Sequence, residues 1–479
     1  MNQPFTYSRK VRTLSKSPTG ITGLDEITGG GLPKGRTALI TGSTGCGKTL
    51  FAMEFLVNGI LKYDEPAVFV AFEEDAQELS DNVASLGFDL KELIRERKLV
   101  IDSVRVDPSE MSETGEYDLD GLFIRLGYAI DQIGAKRVAL DTLDVLFSAM
   151  HSQSVLRTEL NRLFRWLKRK GVTAVVTAER DQAALSRYGL EEYVADCVIL
   201  LDHRVNEQVS TRWLRIIKYR GTVHGTNEYP FLIGKDGISV LPITSLGLDH
   251  QVSSERVSSG IAGLDEMLEG KGFYQGTSIL ISGTAGTGKT SLACSMVNAA
   301  CERGETCFYF AFEESPAQIL RNMKSIGIDL GPHVKNNLLH FQGARPTFYG
   351  LEVHLVTIHD MVNEFQPKIV VLDPIDDFTS IGTTKEVKSA ITRVIDFLKT
   401  KNVTAVFTTT LSPESLDTSV VGISSQIDSW VGLRNQESNG ERHRAIYILK
   451  SRGMAHSNQI RPINLTANGI KIFSIPQNR

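Results

Sequence analysis

Gly42-Ser43-Thr44-Gly45-Cys46-Gly47-Lys48-Thr49-Leu50 follows the apolar run Thr37-Ala38-Leu39-Ile40 and leads into a stretch with helical signals. A second segment, Gly283-Thr284-Ala285-Gly286-Thr287-Gly288-Lys289-Thr290-Ser291, stands in the same relation to Ser278-Ile279-Leu280-Ile281. Both fit the phosphate-loop pattern G-x4-G-K-[ST] in the strand-to-helix context that the motif requires. Glycines let backbone N–H groups approach phosphate oxygens, and the helix N-terminus adds its dipole. Lys48 and Lys289 are expected to reach the β/γ-phosphates of a nucleotide, and the hydroxyls of Thr49 and Thr290 to hold Mg²⁺. One match arises by accident easily; two at corresponding positions do not.

The loops belong to a longer internal repeat, the feature to be sought first. Gly20-Ile21-Thr22-Gly23-Leu24-Asp25-Glu26 recurs as Gly260-Ile261-Ala262-Gly263-Leu264-Asp265-Glu266, 240 residues on. Lys48 recurs as Lys289, and Glu73-Glu74 as Glu313-Glu314. Asp141 recurs as Asp373, and Lys218-x-Arg220-Gly221 as Lys450-x-Arg452-Gly453. Five collinear matches make the chain a tandem duplication. The expected domains are 1–245 and 246–479, with the seam in the polar stretch Thr244 to Ser259.

Within the first copy, Ala67–Phe72, Arg137–Leu140 and Thr173–Val176 are further short apolar runs. Such runs suit strands covered on both faces. Before the last of them, Leu156, Leu160, Leu163, Phe164 and Leu167 share one helical face, and Gly171 follows as a stop. The second copy repeats the scheme with Phe308–Phe310, Ile369–Leu372 and Thr404–Phe407. Alternating β and α predicts an α/β fold, with a mainly parallel twisted sheet flanked by helices in each copy.

Composition narrows the function. The 479 residues exceed what one core needs, and 41% hydrophobic with 23% charged residues is globular. A formal charge of −4 disfavours a dedicated nucleic-acid binder. The five cysteines, Cys46, Cys197, Cys294, Cys301 and Cys307, include no CxxC pair. That points to buried thiols in a reducing compartment rather than a disulfide framework or a zinc site. The polar N-terminus with Arg9, Lys10 and Arg12 has no apolar core of a signal peptide, and no membrane span is expected.

Asp141 and Asp373 each end an apolar strand, which puts a carboxylate beside the phosphate loop toward Mg²⁺. Glu73-Glu74 and Glu313-Glu314 end the strand after the loop helix. Such an acid can orient or deprotonate the group that attacks the γ-phosphate, the plainer reading being a solvated helix start. Lys218 with Arg220, and Lys450 with Arg452, read as cations on alternate positions of a strand, facing one way. They suit an arginine finger toward a neighbour's phosphate, or an exposed strand face. His224 and His456 follow six residues after each lysine and by themselves are structural as readily as functional. The basic helix end Arg162, Arg165, Lys168, Arg169 and Lys170 reads as a solvated face favoured by the helix dipole.

With these duplicated motifs in order, the chain resembles the KaiC family along nearly its whole length. The resemblance implies two tandem RecA-like ATPase domains and a homo-hexamer stacked as two rings, with ATP between neighbouring subunits. It implies that Lys218, Arg220 and His224 act in trans on the first ring's ATP, and Lys450, Arg452 and His456 on the second's. It gives Glu73-Glu74 to hydrolysis and Glu313-Glu314 to phosphotransfer. The family phosphorylates an adjacent Ser-Thr pair across the subunit interface. Gly422-Ile423-Ser424-Ser425-Gln426-Ile427-Asp428 matches that segment, with Ser424 and Ser425 on the acceptor positions, although Ser-Ser alone reads as a plain turn.

Two departures matter. Pro374 follows Asp373 where the family has a hydroxyl residue, while Thr142 keeps one in the first copy. The chain stops at Arg479, so the family's KaiA-docking tail and KaiA-driven regulation are not expected; a KaiB-like partner on the first ring stays open. A cytoplasmic autokinase and ATPase using ATP and Mg²⁺ is the main reading. An ATP-state switch scaffold without autophosphorylation is the alternative, and a RecA- or RadA-like DNA-dependent ATPase is disfavoured by the charge.

Overall fold

A computed structural model describes residues 14–104, 119–147, 153–180, 194–206, 209–235, 237–242, 253–348, 350–411, 422–438 and 440–474. Arg9, Lys10, Arg12 and most of the expected seam, 244–252, lie outside these residues. Contacts within the chain divide it into two compact units, Met1–Ser245 and Leu246–Arg479.

Among the described residues, each unit holds a nine-stranded sheet flanked by helices and a separate two-stranded one. In the first, the order runs Gly237–Val240, Glu228–Gly234, Val209–Tyr219, Cys197–Asn206, Thr37–Gly42, Thr173–Glu179, Arg137–Asp141, Ala67–Ala71, Leu99–Ser103. The six strands from Cys197–Asn206 to Leu99–Ser103 are parallel neighbours; the other three extend the sheet antiparallel. The second unit repeats this order with Ser278–Gly283 at the centre.

The apolar runs form strands because both faces are covered, and the period of two sorts their residues between two cores. From the Ala67–Ala71 strand, Ala67, Phe69 and Ala71 pack on the side of the phosphate-loop helix, Lys48–Tyr63. Val68 and Val70 pack on the opposite side, with Leu122 and Leu126 of the Asp120–Ile133 helix. There the Gln153–Lys170 helix buries Leu156, Leu160, Leu163, Phe164 and Leu167, the face its spacing predicts, and Gly171 follows at φ 72°. Two of its basic residues are paired, Lys170 lying 2.8 Å from Asp131 and Arg162 bonding Asp120.

One buried cation pins the first unit together. Arg137 opens its strand fully buried; its Nε donates to Glu65 Oε2 at 2.7 Å and another nitrogen to the Phe55 carbonyl at 2.8 Å. The guanidinium lies 4.5 Å from the Phe55 ring centroid and 5.3 Å from that of Tyr63. Gly59 makes the room: a Cβ there would stand 2.3 Å from Arg137 Cδ. All five cysteines are free and buried. Among the described residues, no helix is long and apolar enough to cross a membrane.

Candidate functional site

Each phosphate loop joins the C-terminal end of the central strand to the helix behind it. Gly47 and Gly288 precede the helices at φ 104° and 100°, a left-handed backbone that favours glycine. Gly42 is required for another reason, since a Cβ would lie 2.2 Å from the Leu201 carbonyl; at Gly283 the clash is with Leu433, at 2.5 Å. Lys48 Nζ donates to the carbonyls of Gly42 and Ser43 at 3.0 and 3.1 Å. Lys289 repeats this on Gly283 and Thr284 at 3.0 and 3.2 Å. Both ammonium groups therefore hang over the loop.

Carboxylates face the first loop across a cleft of about 410 Å³, lined by Thr44, Lys48, Thr49, Glu73, Asp141 and Glu179 among others. Asp141 accepts from Thr177 Oγ1 and lines the cleft together with Thr49. Burial pushes its carboxyl up. Glu73 is raised too, first by burial and then by the negative charges of Asp141, Glu179, Asp144 and Glu74. Glu313 is raised by burial and by Asp377 and Asp373. Glu74 and Glu314 are each held by an asparagine one helix on, Asn82 and Asn322, both at 3.3 Å. Burial lowers the Lys289 ammonium.

The donor set fits a nucleotide triphosphate with a hard divalent cation: a glycine-lined loop, an ammonium, a threonine hydroxyl and an aspartate at one strand tip. No cluster of three His, Cys, Asp or Glu among the described residues is placed to hold a metal by itself. A cation here would be shared with phosphate oxygens, as is usual for Mg²⁺.

Sequence reasoning passed over several site residues. Asp144 accepts from Thr142 Oγ1 at 2.9 Å and from the Glu179 amide at 2.6 Å; Asp376 does the same with Thr409 and Thr410. Asp144 and Asp376 stand 232 residues apart, like Asp141 and Asp373, and Asn82 and Asn322 stand 240 apart, so the repeat itself carries their signal. Glu179 also accepts from Thr44 Oγ1 at 3.1 Å, and Thr410 replaces it in the second unit, so no repeat signal exists for it.

The cations expected on one strand face are arranged differently. Lys218 and Lys450 lie on their strands, but Arg220 and Arg452 lie just past the strand ends. A register shift beside each lysine, and the turns at Gly221 and Gly453 with φ 85° and 74°, end the pairing there. The arginines are anchored by main-chain bonds, Arg220 N to Asp196 O at 2.9 Å and Arg452 N to Asp428 O at 2.8 Å. His224 stacks on Tyr219, with centroids 6.1 Å apart, and His456 Nδ1 lies 3.3 Å from the Ser457 carbonyl.

Ser424 and Ser425 sit in a turn before the Ser429–Ser438 strand, half-buried and exposed respectively. Lys450 Nζ donates to the Ser424 carbonyl at 3.0 Å, and Arg452 to the Ser425 carbonyl at 2.5 Å. Asp428, which closes the turn, accepts from Ser278 N at 2.9 Å and lies 2.7 Å from Lys399. Ser278 begins the strand that Gly283 ends. At about 3.3 Å per residue, the serine turn and its cations lie roughly 16 Å along the sheet from their own unit's phosphate loop.

A family model described as "ATPase: KaiC" matches residues 17–245 and again 257–477. The chain is 54% identical over 473 residues to the "Circadian clock protein KaiC2" of Synechocystis sp., covering 98% of this chain and 83% of that protein. It is 39% identical to the "Circadian clock oscillator protein KaiC" of Parathermosynechococcus lividus, over 97% of this chain and 86% of the other. The protein of that name from Synechococcus elongatus is likewise 39% identical, over 96% and 89%.

Proposed function

The chain belongs to the KaiC ATPase family, an ATP-binding family, and on that premise we propose that it is a ring-forming ATPase that also phosphorylates its own Ser424 and Ser425. In this reading six chains form a double ring, and each nucleotide lies between one subunit's phosphate loop and the next subunit's cations. The observation that carries the reading is the separation within one unit. Ser424, Ser425, Lys450 and Arg452 gather at the end of the sheet away from Gly283–Thr290. A hydroxyl roughly 16 Å along the sheet from its own loop has no route to the γ-phosphate bound there, but it has one to a neighbour's.

The residues then divide the work. Lys48 and Lys289 turn from the loop carbonyls to the β/γ-phosphates. Thr49 with Asp141, and Thr290 with Asp373, hold Mg²⁺, which neutralises charge on the phosphate chain. In the first unit Glu73 and Glu74 orient the attacking water. Burial and neighbouring acids raise Glu73 toward the working pH, which improves it as a base. In the second unit Glu313 or Glu314 takes the proton from a neighbour's serine hydroxyl. As the new O–P bond forms, the γ-phosphorus bond to the β–γ bridging oxygen breaks, and ADP leaves. Lys218, Arg220 and His224, and Lys450, Arg452 and His456, face the nucleotide of the next subunit. The relatives are named as circadian clock proteins, which supports a timing role; the cytoplasm as its setting and a KaiB-like protein as the candidate partner rest on the family resemblance alone.

The test is intact-mass and peptide mass spectrometry after incubation with Mg·ATP. Phosphate on Ser424 or Ser425, absent from Ser424→Ala/Ser425→Ala and from Glu313→Gln/Glu314→Gln, is expected. ATP turnover with no phosphate on wild type leaves the ATPase but refutes the autokinase.

A further inference from the structure

The two units follow one plan, yet the aspartate at the tip of the strand beside the loop is held differently in each. In the second unit both oxygens of Asp373 receive hydroxyl donors from the sheet: Thr408 on Oδ1 and Tyr309 on Oδ2. Thr177 reproduces the first of these on Asp141. The second has no counterpart, because Phe69 stands 240 residues before Tyr309 and carries no polar atom. Asp141 shares its cleft with Thr49, the hydroxyl assigned to the cation.

Tyr309 is itself fixed. Its side chain is fully buried in the middle of the Cys307–Ala311 strand, with the Phe341 ring 5.3 Å away. Cys294, buried on the phosphate-loop helix of this unit, stands where the first unit has Met53. Thr408 and Asp373 are buried as well. A carboxylate has about four lone-pair directions, and two are taken here from the side of the sheet. The plane of the group is thereby set, and the remaining lone pairs point away from those donors.

We propose that Tyr309 is a positioning residue of the second unit: its hydroxyl sets the Asp373 carboxylate for a nucleotide-bound divalent cation, a contact that Phe69 cannot supply in the first unit. This rests on the reading of both phosphate loops as nucleotide–cation sites. Groups that orient a ligating carboxylate typically carry a 10- to 100-fold share of metal affinity. In Tyr309→Phe the ring stays, one oxygen is lost, and Asp373 Oδ2 faces an apolar edge; the carboxylate then turns to find another donor.

The experiment uses the full chain carrying Lys48→Ala, which silences the first loop. Mn²⁺ is titrated by electron paramagnetic resonance in the presence of a non-hydrolysable ATP analogue. Tyr309→Phe is expected to weaken Mn²⁺ binding about 10-fold or more. Binding of the analogue in EDTA should be unchanged, a readout that a merely structural role would move. Unchanged Mn²⁺ affinity overturns the proposal, and so does an equal loss in metal-free analogue binding. If the Lys48→Ala chain with Tyr309 intact takes up no Mn²⁺ with the analogue, the nucleotide–cation reading itself falls, and this proposal with it.

Discussion

Arg137 offers a stability test whose size follows from its surroundings. Its guanidinium is fully buried, held by Glu65 and the Phe55 carbonyl and close to the Phe55 and Tyr63 rings, while the Glu65 side chain keeps 18% exposure and a second cation, Lys34, at 3.6 Å. Removing one member of a buried pair costs about 3–5 kcal/mol. Arg137→Ala should sit near the low end, about 3 kcal/mol, because Glu65 can rehydrate. Arg137→Met keeps the contact with Phe55 and Tyr63 and should cost only about 1 kcal/mol. Gly59→Ala supplies an independent arm. In wild type its Cβ meets Arg137 at 2.3 Å, an overpacking worth about 1–3 kcal/mol. In the Arg137→Ala background that clash is gone, and alanine should stabilise the helix by about 0.5–1 kcal/mol. The chain has three tryptophans, and with Trp430→Phe only Trp166 and Trp213 remain, both in the first unit. Urea unfolding followed by their fluorescence, at fixed excess nucleotide, should move the midpoint down by about 1–2 M for Arg137→Ala. An Arg137→Ala midpoint within about 0.3 M of wild type, or a Gly59→Ala cost unchanged between backgrounds, refutes the reasoning.

Glu54 gives the pH dependence. Burial lifts its carboxyl to about 7, against the hydrogen bond from Ile238 N and the charge of Lys62. The folded form binds this proton more tightly than the unfolded one, so first-unit stability should fall as pH rises from about 4.5 to 7, by on the order of 3 kcal/mol. Glu54→Gln should flatten that slope in urea midpoints taken at several pH values, and an unchanged slope counts against the assignment. Glu73→Gln/Glu74→Gln should lower ATP hydrolysis by about 100-fold or more in the first unit while nucleotide binding persists. Turnover at wild-type rate in a Lys289→Ala background would remove both residues from the mechanism. Because Glu73 must be ionised to act and its proton is held above the ordinary range, hydrolysis in that background should decline on acidification at a higher pH than for an ordinary carboxylate. A pH–rate profile that stays flat down to the usual glutamate range would contradict this.

What could be read along the chain was whatever is local or repeated. The duplication and the two phosphate loops are patterns of identity and spacing. The helical face from Leu156 to Leu167 and the short apolar runs are periodicities that a backbone of known rise translates into buried faces. Asp144 and Asn82 were equally legible, since each recurs at the offset of its neighbours. Tertiary structure decided what depends on which groups meet. Tyr309 reads as one more aromatic in an apolar strand, and only the neighbouring strands put Asp373 against its hydroxyl. Arg137 opens what reads as an apolar run, and nothing along the chain singles out Glu54; burial made one a pinned cation and lifted the other's carboxyl to about 7. Lys450 and Arg452 lie 26 and 27 residues from the serines whose carbonyls they hold, and the end of the sheet they occupy follows from strand order and register. Periodicity records which face of a strand is buried, but not which atom lies across from it. That partner is set by register between strands distant in the chain, so the fold was open to reading while half of the site's chemistry waited on the sheet.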